Sequence, residues 1–343
     1  MTERDNYLRA IQFKGPEWIP CGVGCALRAW HRYREKLEDV AKRHPRVMPE
    51  YPSREEWDNY PVVYREGERF TDTWGCTWYN TLGGLEGQVV GHPLADWSAL
   101  DGWQPPDPAT RTERGVQDFA RVRRDIEKRR RDGKAAWGDG GRLFDRLYFL
   151  RGFDNLMMDF ATDDPHLPRL IERYTEYELA LVQLYLDIGV DVVSFHTDIG
   201  TQHGLMISPR QFRRYIKPMF QEIFQHCRKA GALVSLSSDG RLLEIVDDLI
   251  ECGVCVHDPQ YRANTIDGIV KHYRGRLCAN VDLDRQLFAF CRPEDIRAHV
   301  QEAVERMYLP EGGLMITGSV WDDVTPLENI EALCEAVEEL CLR

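Results

Sequence analysis

The second half of the chain repeats one rhythm five times, and that rhythm limits the folds available to it. A short apolar run reaches a polar or glycine tip, and a helical pattern follows. "DVVSFHTD" leads into "SPRQFRRYIKPMFQEIFQHCRKAG", and "ALVSLSSDG" into "RLLEIVDDLIECG". "VCVHDPQ" leads into "NTIDGIVKHYRG", "RLCANVDLD" into "RPEDIRAHVQEAVERM", and "GLMITGSV" into "PLENIEALCEAVEELCLR". The runs read as apolar throughout, the pattern of strands covered on both faces. Glycines stop the helical stretches at Gly231, Gly253 and Gly275. Strand–helix units in succession imply parallel strands joined by right-handed crossovers.

Upstream, "WIPCGVG" and "KAAWGDG" read as two more such strands. One further strand near the middle of the N-terminal half would complete eight, the number of a (β/α)8 TIM barrel. The expectation is therefore one α/β domain over residues 1–343. A doubly wound open sheet ranks second, since no glycine-rich dinucleotide loop is present. Between about residues 58 and 107 the rhythm breaks into a Trp-, Gly- and Pro-rich stretch, expected as a hairpin elaboration on the barrel.

Composition narrows the function classes. Hydrophobic residues make up 43% of the 343, enough for a large core. The formal net charge of −12 argues against a nucleic-acid face. The basic run from Arg121 to Lys134 is interleaved with acids and reads as a solvated helix face. No run of 18 apolar residues offers a membrane span, and the N-terminus lacks an apolar signal core, so a cytoplasmic location is expected. Of the ten cysteines, Cys252 and Cys255 are spaced as CxxC where a helix runs into a strand; reduced thiols are the expectation.

In a barrel of this kind chemistry gathers at the C-terminal ends of the strands. Those tips carry His196 and Asp198, then Ser237 and Asp239, then His257 and Asp258, then Asp282, then Ser319. Asp also caps helices and forms turns, and Asp-Gly at Asp239 is itself a turn signal, so each position has a structural alternative. His196, Asp198, Asp239 and Asp282 are the candidate catalytic residues. Arg151, Trp74, Tyr79, His203, His257 and Ser319 are the candidate substrate-binding residues.

With these residues in view, the chain resembles the uroporphyrinogen decarboxylase superfamily, which holds the decarboxylase of haem synthesis and corrinoid-linked methyltransferases. The resemblance rests on "DTWGCTW", "GQVVGHPLADWSALDGW", "LRGFDNLMMDF", "HTDIGTQHGLMISPRQFRRYIKP", "SSDG" and "TPLENIEA", in that order and spacing. It implies an (α/β)8 barrel with its pocket at the C-terminal mouth. Zinc-dependent members carry a His-x-Cys pair and a further cysteine, and the corresponding positions here are Ser237, Asp239 and Ser319. Serine is a poor zinc ligand, so the family's usual zinc site is expected to be absent and no metal is assigned. The decarboxylases carry an arginine-rich grip for substrate carboxylates. Here "CGVGCALRAWHRY" keeps Arg28 and Arg32 without that motif, and the decarboxylase histidine near the last strand aligns with Ser319.

The resemblance thus implies a methyltransferase or demethylase acting on a small, for instance methoxyaromatic, compound. The methyl group would pass to a corrinoid (cobalamin) carried by a partner protein. A lyase acting on a tetrapyrrole or small carboxylic acid is the alternative, and a non-catalytic ligand-binding barrel the third reading. Without zinc, a protonated acid or imidazolium must assist the leaving group, and carboxylates clustered in a dry pocket would keep a proton at hand.

Overall fold

The computed structural model describes residues 1–112 and 115–342. Seven strands form one parallel sheet: β1 (Cys21–Cys25), β2 (Trp137–Arg142), β3 (Val192–His196), β4 (Leu233–Ser237), β5 (Val256–His257), β6 (Cys278–Asp282) and β7 (Leu314–Val320). Their order is β1-β7-β6-β5-β4-β3-β2, so β2 to β7 run in sequence order across the sheet and β1 pairs with β7. The expected strands at "WIPCGVG" and "KAAWGDG" are β1 and β2. The further strand expected in the N-terminal half does not join this sheet among the described residues. Short strands at Arg69–Thr71, Thr77–Tyr79 and Gln88–Gly91 form a separate three-stranded sheet instead.

The chain packs as two compact units. The first comprises Met1–Asp5, Phe70–Trp78 and Val89–His257. It holds β2 to β5 and the 22-residue helix Leu167–Ile188. That helix forms because Leu170, Ile171, Tyr174, Tyr177, Leu181, Val182 and Tyr185 recur at helical spacing and are all buried. A second helix of this layer, Lys217–Lys229, carries Phe224, whose ring centre lies 4.9 Å from that of Phe195 on β3. Burying such side chains contributes about 1.5–3 kcal/mol each. The basic run forms the helix Phe119–Arg131, which buries Ile126.

One sequence expectation is corrected here. The strands are not apolar throughout: β3 and β4 share the pattern buried, buried, half-buried, buried, half-buried, and the half-buried positions are Ser194, His196, Ser235 and Ser237. The sheet of this unit therefore has an apolar face toward its helices and a polar face away from them. β2 shows how the faces are assigned. A side chain added to Gly138 would come within 2.8 Å of Tyr185, and one on Gly140 within 2.3 Å of the Phe195 ring. Both glycines face the helical layer, so Asp139 between them faces the other way.

The second unit comprises Asn6–Arg69, Tyr79–Gln88 and Asp258–Arg343. It holds β1, β6 and β7, with the helices Pro293–Met307 and Leu327–Cys341. Gly318 faces Leu333 of the latter at 2.9 Å from a would-be Cβ. Thr317 and Ser319 accordingly lie on the opposite face, where Thr317 Oγ1 donates to Asn280 Oδ1 at 2.8 Å. No helix among the described residues is long and apolar enough to cross a membrane.

Candidate active site

Parallel pairing puts residues in register on one face, and in the first unit that register builds two polar rows. Asp139 pairs with Ser194, and Ser194 with Ser235. One step nearer the strand ends, His196 pairs with Ser237. Asp139, Ser194 and Ser235 were missed in the sequence. The period of two was visible in "VSFH" and "VSLS", but the flanking valines and leucines masked it.

The loops beyond the tips are held by side chain–backbone bonds. Thr197 is buried, donates its backbone N–H to the Ser237 carbonyl, and accepts the Phe144 N–H on its hydroxyl at 3.0 Å. Buried Asp145 accepts the Asp198 N–H. Asp198 Oδ1 in turn accepts the Asp239 N–H at 3.1 Å, joining the loop after β3 to the loop after β4. The same two loops cross at a glycine pair. A side chain on Gly240 would lie 2.4 Å from the Gly200 carbonyl carbon, and Gly240 has a φ of +93°, which glycine adopts without the strain of a side chain.

The structure thus brings together His196, Asp198 and Asp239 at adjacent tips of one unit. Asp198 is half-buried, and Asp239 is exposed. Asp282 lies in the other unit and is buried against Arg285 at 2.5 Å, whose guanidinium also stands 5.7 Å from the Trp321 ring. It is therefore held as an ion pair with a cation, where carboxylate facing carboxylate was expected. Ser319 is half-buried on β7 in that unit.

The remaining predicted residues sit elsewhere. His257 pairs in register with Leu236 and so shares its helix-facing side, away from the row of His196. It is fully buried, and desolvation pushes its pKa down to about 3, so it is neutral at ordinary pH. His203 is exposed on a loop. Trp74 is buried, edge-on to Tyr177 at 4.5 Å and beneath the Arg146 guanidinium at 4.7 Å. Asp72 organises that corner, accepting the Trp74 and Cys76 N–H groups on one oxygen and Trp78 Nε1 and Arg146 on the other. Tyr79 is half-buried beside Arg69, 4.6 Å from ring centre to guanidinium. Arg151 is buried, with Asp159 accepting from Nε at 2.7 Å and the carbonyls of Leu94 and Ala95 from Nη1. Trp97 packs against the same guanidinium at 4.2 Å.

At the positions where the resemblance implies zinc ligands, the first unit offers the Ser237 hydroxyl and the exposed Asp239 carboxylate, and the second unit offers the Ser319 hydroxyl. That set does not fit a zinc ion, which takes thiolate, imidazole and carboxylate ligands. Elsewhere, among the described residues, His44 at the end of the helix Glu35–Arg43 and Glu331 and Glu335 on the helix Leu327–Cys341 bring ligand atoms within 4.8 Å of one another. None of the ten cysteines is joined in a disulfide, and burial raises the Cys252 thiol to about 12, far from a reactive thiolate.

Comparison with known proteins places this geometry. A methyltransferase from Methanosarcina mazei superposes with a TM-score of 0.66 at 18% identity, covering 99% of each chain, and so shares the fold. A D-psicose 3-epimerase gives a TM-score of 0.40 at 8% identity over 65% of this chain and 84% of its own. A sugar phosphate isomerase/epimerase from Parabacteroides distasonis gives 0.38 at 11% over 67% and 83%. No curated protein matches the chain. The family model described as uroporphyrinogen decarboxylase (URO-D) matches residues 86–340, well over half of the sequence, and the chain therefore belongs to the uroporphyrinogen decarboxylase family.

Proposed function

We propose that this protein is an enzyme that transfers a methyl group from a small methylated compound, with His196 as the proton donor to the leaving heteroatom. The observation that carries this reading is the placement of His196. It crowns a half-buried polar sheet face at the carboxyl end of β3, where enzymes on parallel α/β sheets bind their ligands. Asp198 stands just beyond it, anchored through its own N–H and through one carboxylate oxygen.

The carbon–heteroatom bond breaks, its electron pair stays on the heteroatom, and the proton from His196 neutralises it. Such assistance contributes roughly 10²–10⁴-fold in rate. A reduced corrinoid, if brought by a partner protein, would supply the nucleophile that accepts the methyl group. Within this chain, the His196 imidazole regains its proton from solvent water, and Thr197 and Asp145 hold the strand end still.

Decarboxylation, the activity for which the family is described, is the second reading, since it too needs a proton donor at the vacated carbon. A substrate with many carboxylates requires free guanidinium groups, however. Arg151 is committed to Asp159 and Arg146 to Asp72, so neither of these two supplies one. The test is incubation with cob(I)alamin and a panel of methylated alcohols, amines and methoxyaromatics, following loss of the cob(I)alamin absorbance. A parallel assay measures CO2 release from uroporphyrinogen. Methyl transfer that disappears in His196→Ala is expected. CO2 release without methyl transfer transfers the assignment to the second reading, and no turnover in either assay removes both.

A further inference from the structure

We infer that Asp139, Ser194 and Ser235 form the subsite that selects the substrate's head group, and that this head group is a non-anionic hydrogen-bond donor: an ammonium or a hydroxyl. This rests on the reading of the polar face as the substrate's side of the sheet.

The three residues lie on three adjacent parallel strands in continuous register, Asp139 beside Ser194 and Ser194 beside Ser235. Neighbouring strands lie about 4.8 Å apart, so the row spans roughly 10 Å, the length of a small molecule rather than a tetrapyrrole. All three side chains are half-buried. Asp139 Oδ1 accepts the Gly141 N–H at 3.2 Å. Its other oxygen, and the hydroxyls of Ser194 and Ser235, have no protein hydrogen-bond partner among the described residues. Half-buried polar groups are ordinarily satisfied, by protein, water or ligand.

The chemistry of the row sets the ligand class. An ionised aspartate only accepts hydrogen bonds, and each serine hydroxyl accepts as readily as it donates. A ligand placed there must bring N–H or O–H groups. An anionic head group would meet the Asp139 charge at close range in a site where water screens poorly, and is disfavoured. The geometry is rigid as well, because Gly138 and Gly140 let β2 lie tight against Tyr185 and Phe195.

Isothermal titration calorimetry of the full chain separates this inference from turnover. Ethanolamine, choline and glycerol are the probes, with glycolate and acetate as anionic counterparts of similar size. At least one of the first three is expected to bind at least tenfold more tightly than either anion. That binding should weaken at least tenfold in Asp139→Asn and in Ser194→Ala/Ser235→Ala, while His196→Ala retains it. Thermal melts within a few degrees of the wild type confirm that the variants are folded, and Ser194→Thr, which keeps the hydroxyl, serves as the conservative control. Failure of all three probes to bind, equal binding of the anions, or unchanged binding in the row variants overturns the inference. Binding with the expected pattern but no methyl transfer leaves the subsite standing and removes the proposed reaction instead.

Discussion

The ring of Phe195 fills the space that a side chain on Gly140 would need, with only 2.3 Å between the ring and a would-be Cβ. The pair locks β2 to β3 and sets the height of Asp139 against Ser194. Gly140→Ala is expected to destabilise the protein by about 1–3 kcal/mol, the usual cost of forcing an extra methyl into a packed interior. Urea unfolding of the variant checks this, and a midpoint unchanged from the wild type would mean the ring is free to move aside.

The Gly200–Gly240 crossing should be less forgiving. Its close partner is backbone, and the φ of +93° at Gly240 penalises any side chain. Gly240→Ala is expected to cost about 2–3 kcal/mol and to displace the loop carrying Asp239. Loss of protection of the Asp239 amide in hydrogen exchange, measured beside the melt, is the accompanying sign.

Arg151 was expected in the sequence as a substrate-binding group. Its buried pairing with Asp159 makes a different prediction. Arg151→Ala leaves the buried Asp159 carboxylate with only the Trp97 Nε1–H and no cation, and should cost about 3–5 kcal/mol, whereas the double change Arg151→Met/Asp159→Leu should recover much of that. Once turnover is found, a raised KM in the double variant at wild-type stability would restore a role in binding.

His257 gives the protein a stability that depends on pH. Its folded-state pKa lies at about 3, against an ordinary 6.5. Between those values the unfolded chain binds a proton that the folded chain refuses. The stabilisation is therefore complete above pH 6.5 and falls as the pH drops, by up to about 1.4 kcal/mol per unit from this group. Denaturant melts from pH 7.5 to 5 should show a steeper loss for the wild type than for His257→Gln. Parallel slopes would assign the acid sensitivity to other groups.

The parallel strands were legible because each apolar run ends in a tip and a helix, a pattern with few foldable solutions. His196 was legible as a strand-tip residue for the same reason. His257 was misplaced because two residues of strand do not reveal which face a side chain takes, and only its pairing with Leu236 decides that. Arg151 was misplaced because its partner, Asp159, lies 8 positions along the chain, across a helix break at Gly152 that periodicity does not show. Asp139 escaped notice because the glycines on either side of it in "KAAWGDG" leave no apolar alternation to show which face it takes. Only the bulk of Tyr185 and Phe195 explains why glycines occupy a strand.

The bare backbone on either side of Asp139 has one more consequence. With no side chain at 138 or 140 to repack, exchanging residue 139 alters what the open face offers while leaving the helical contacts untouched. Substitution at this one position therefore probes the polar face by itself, with the helix-side packing serving as its built-in control.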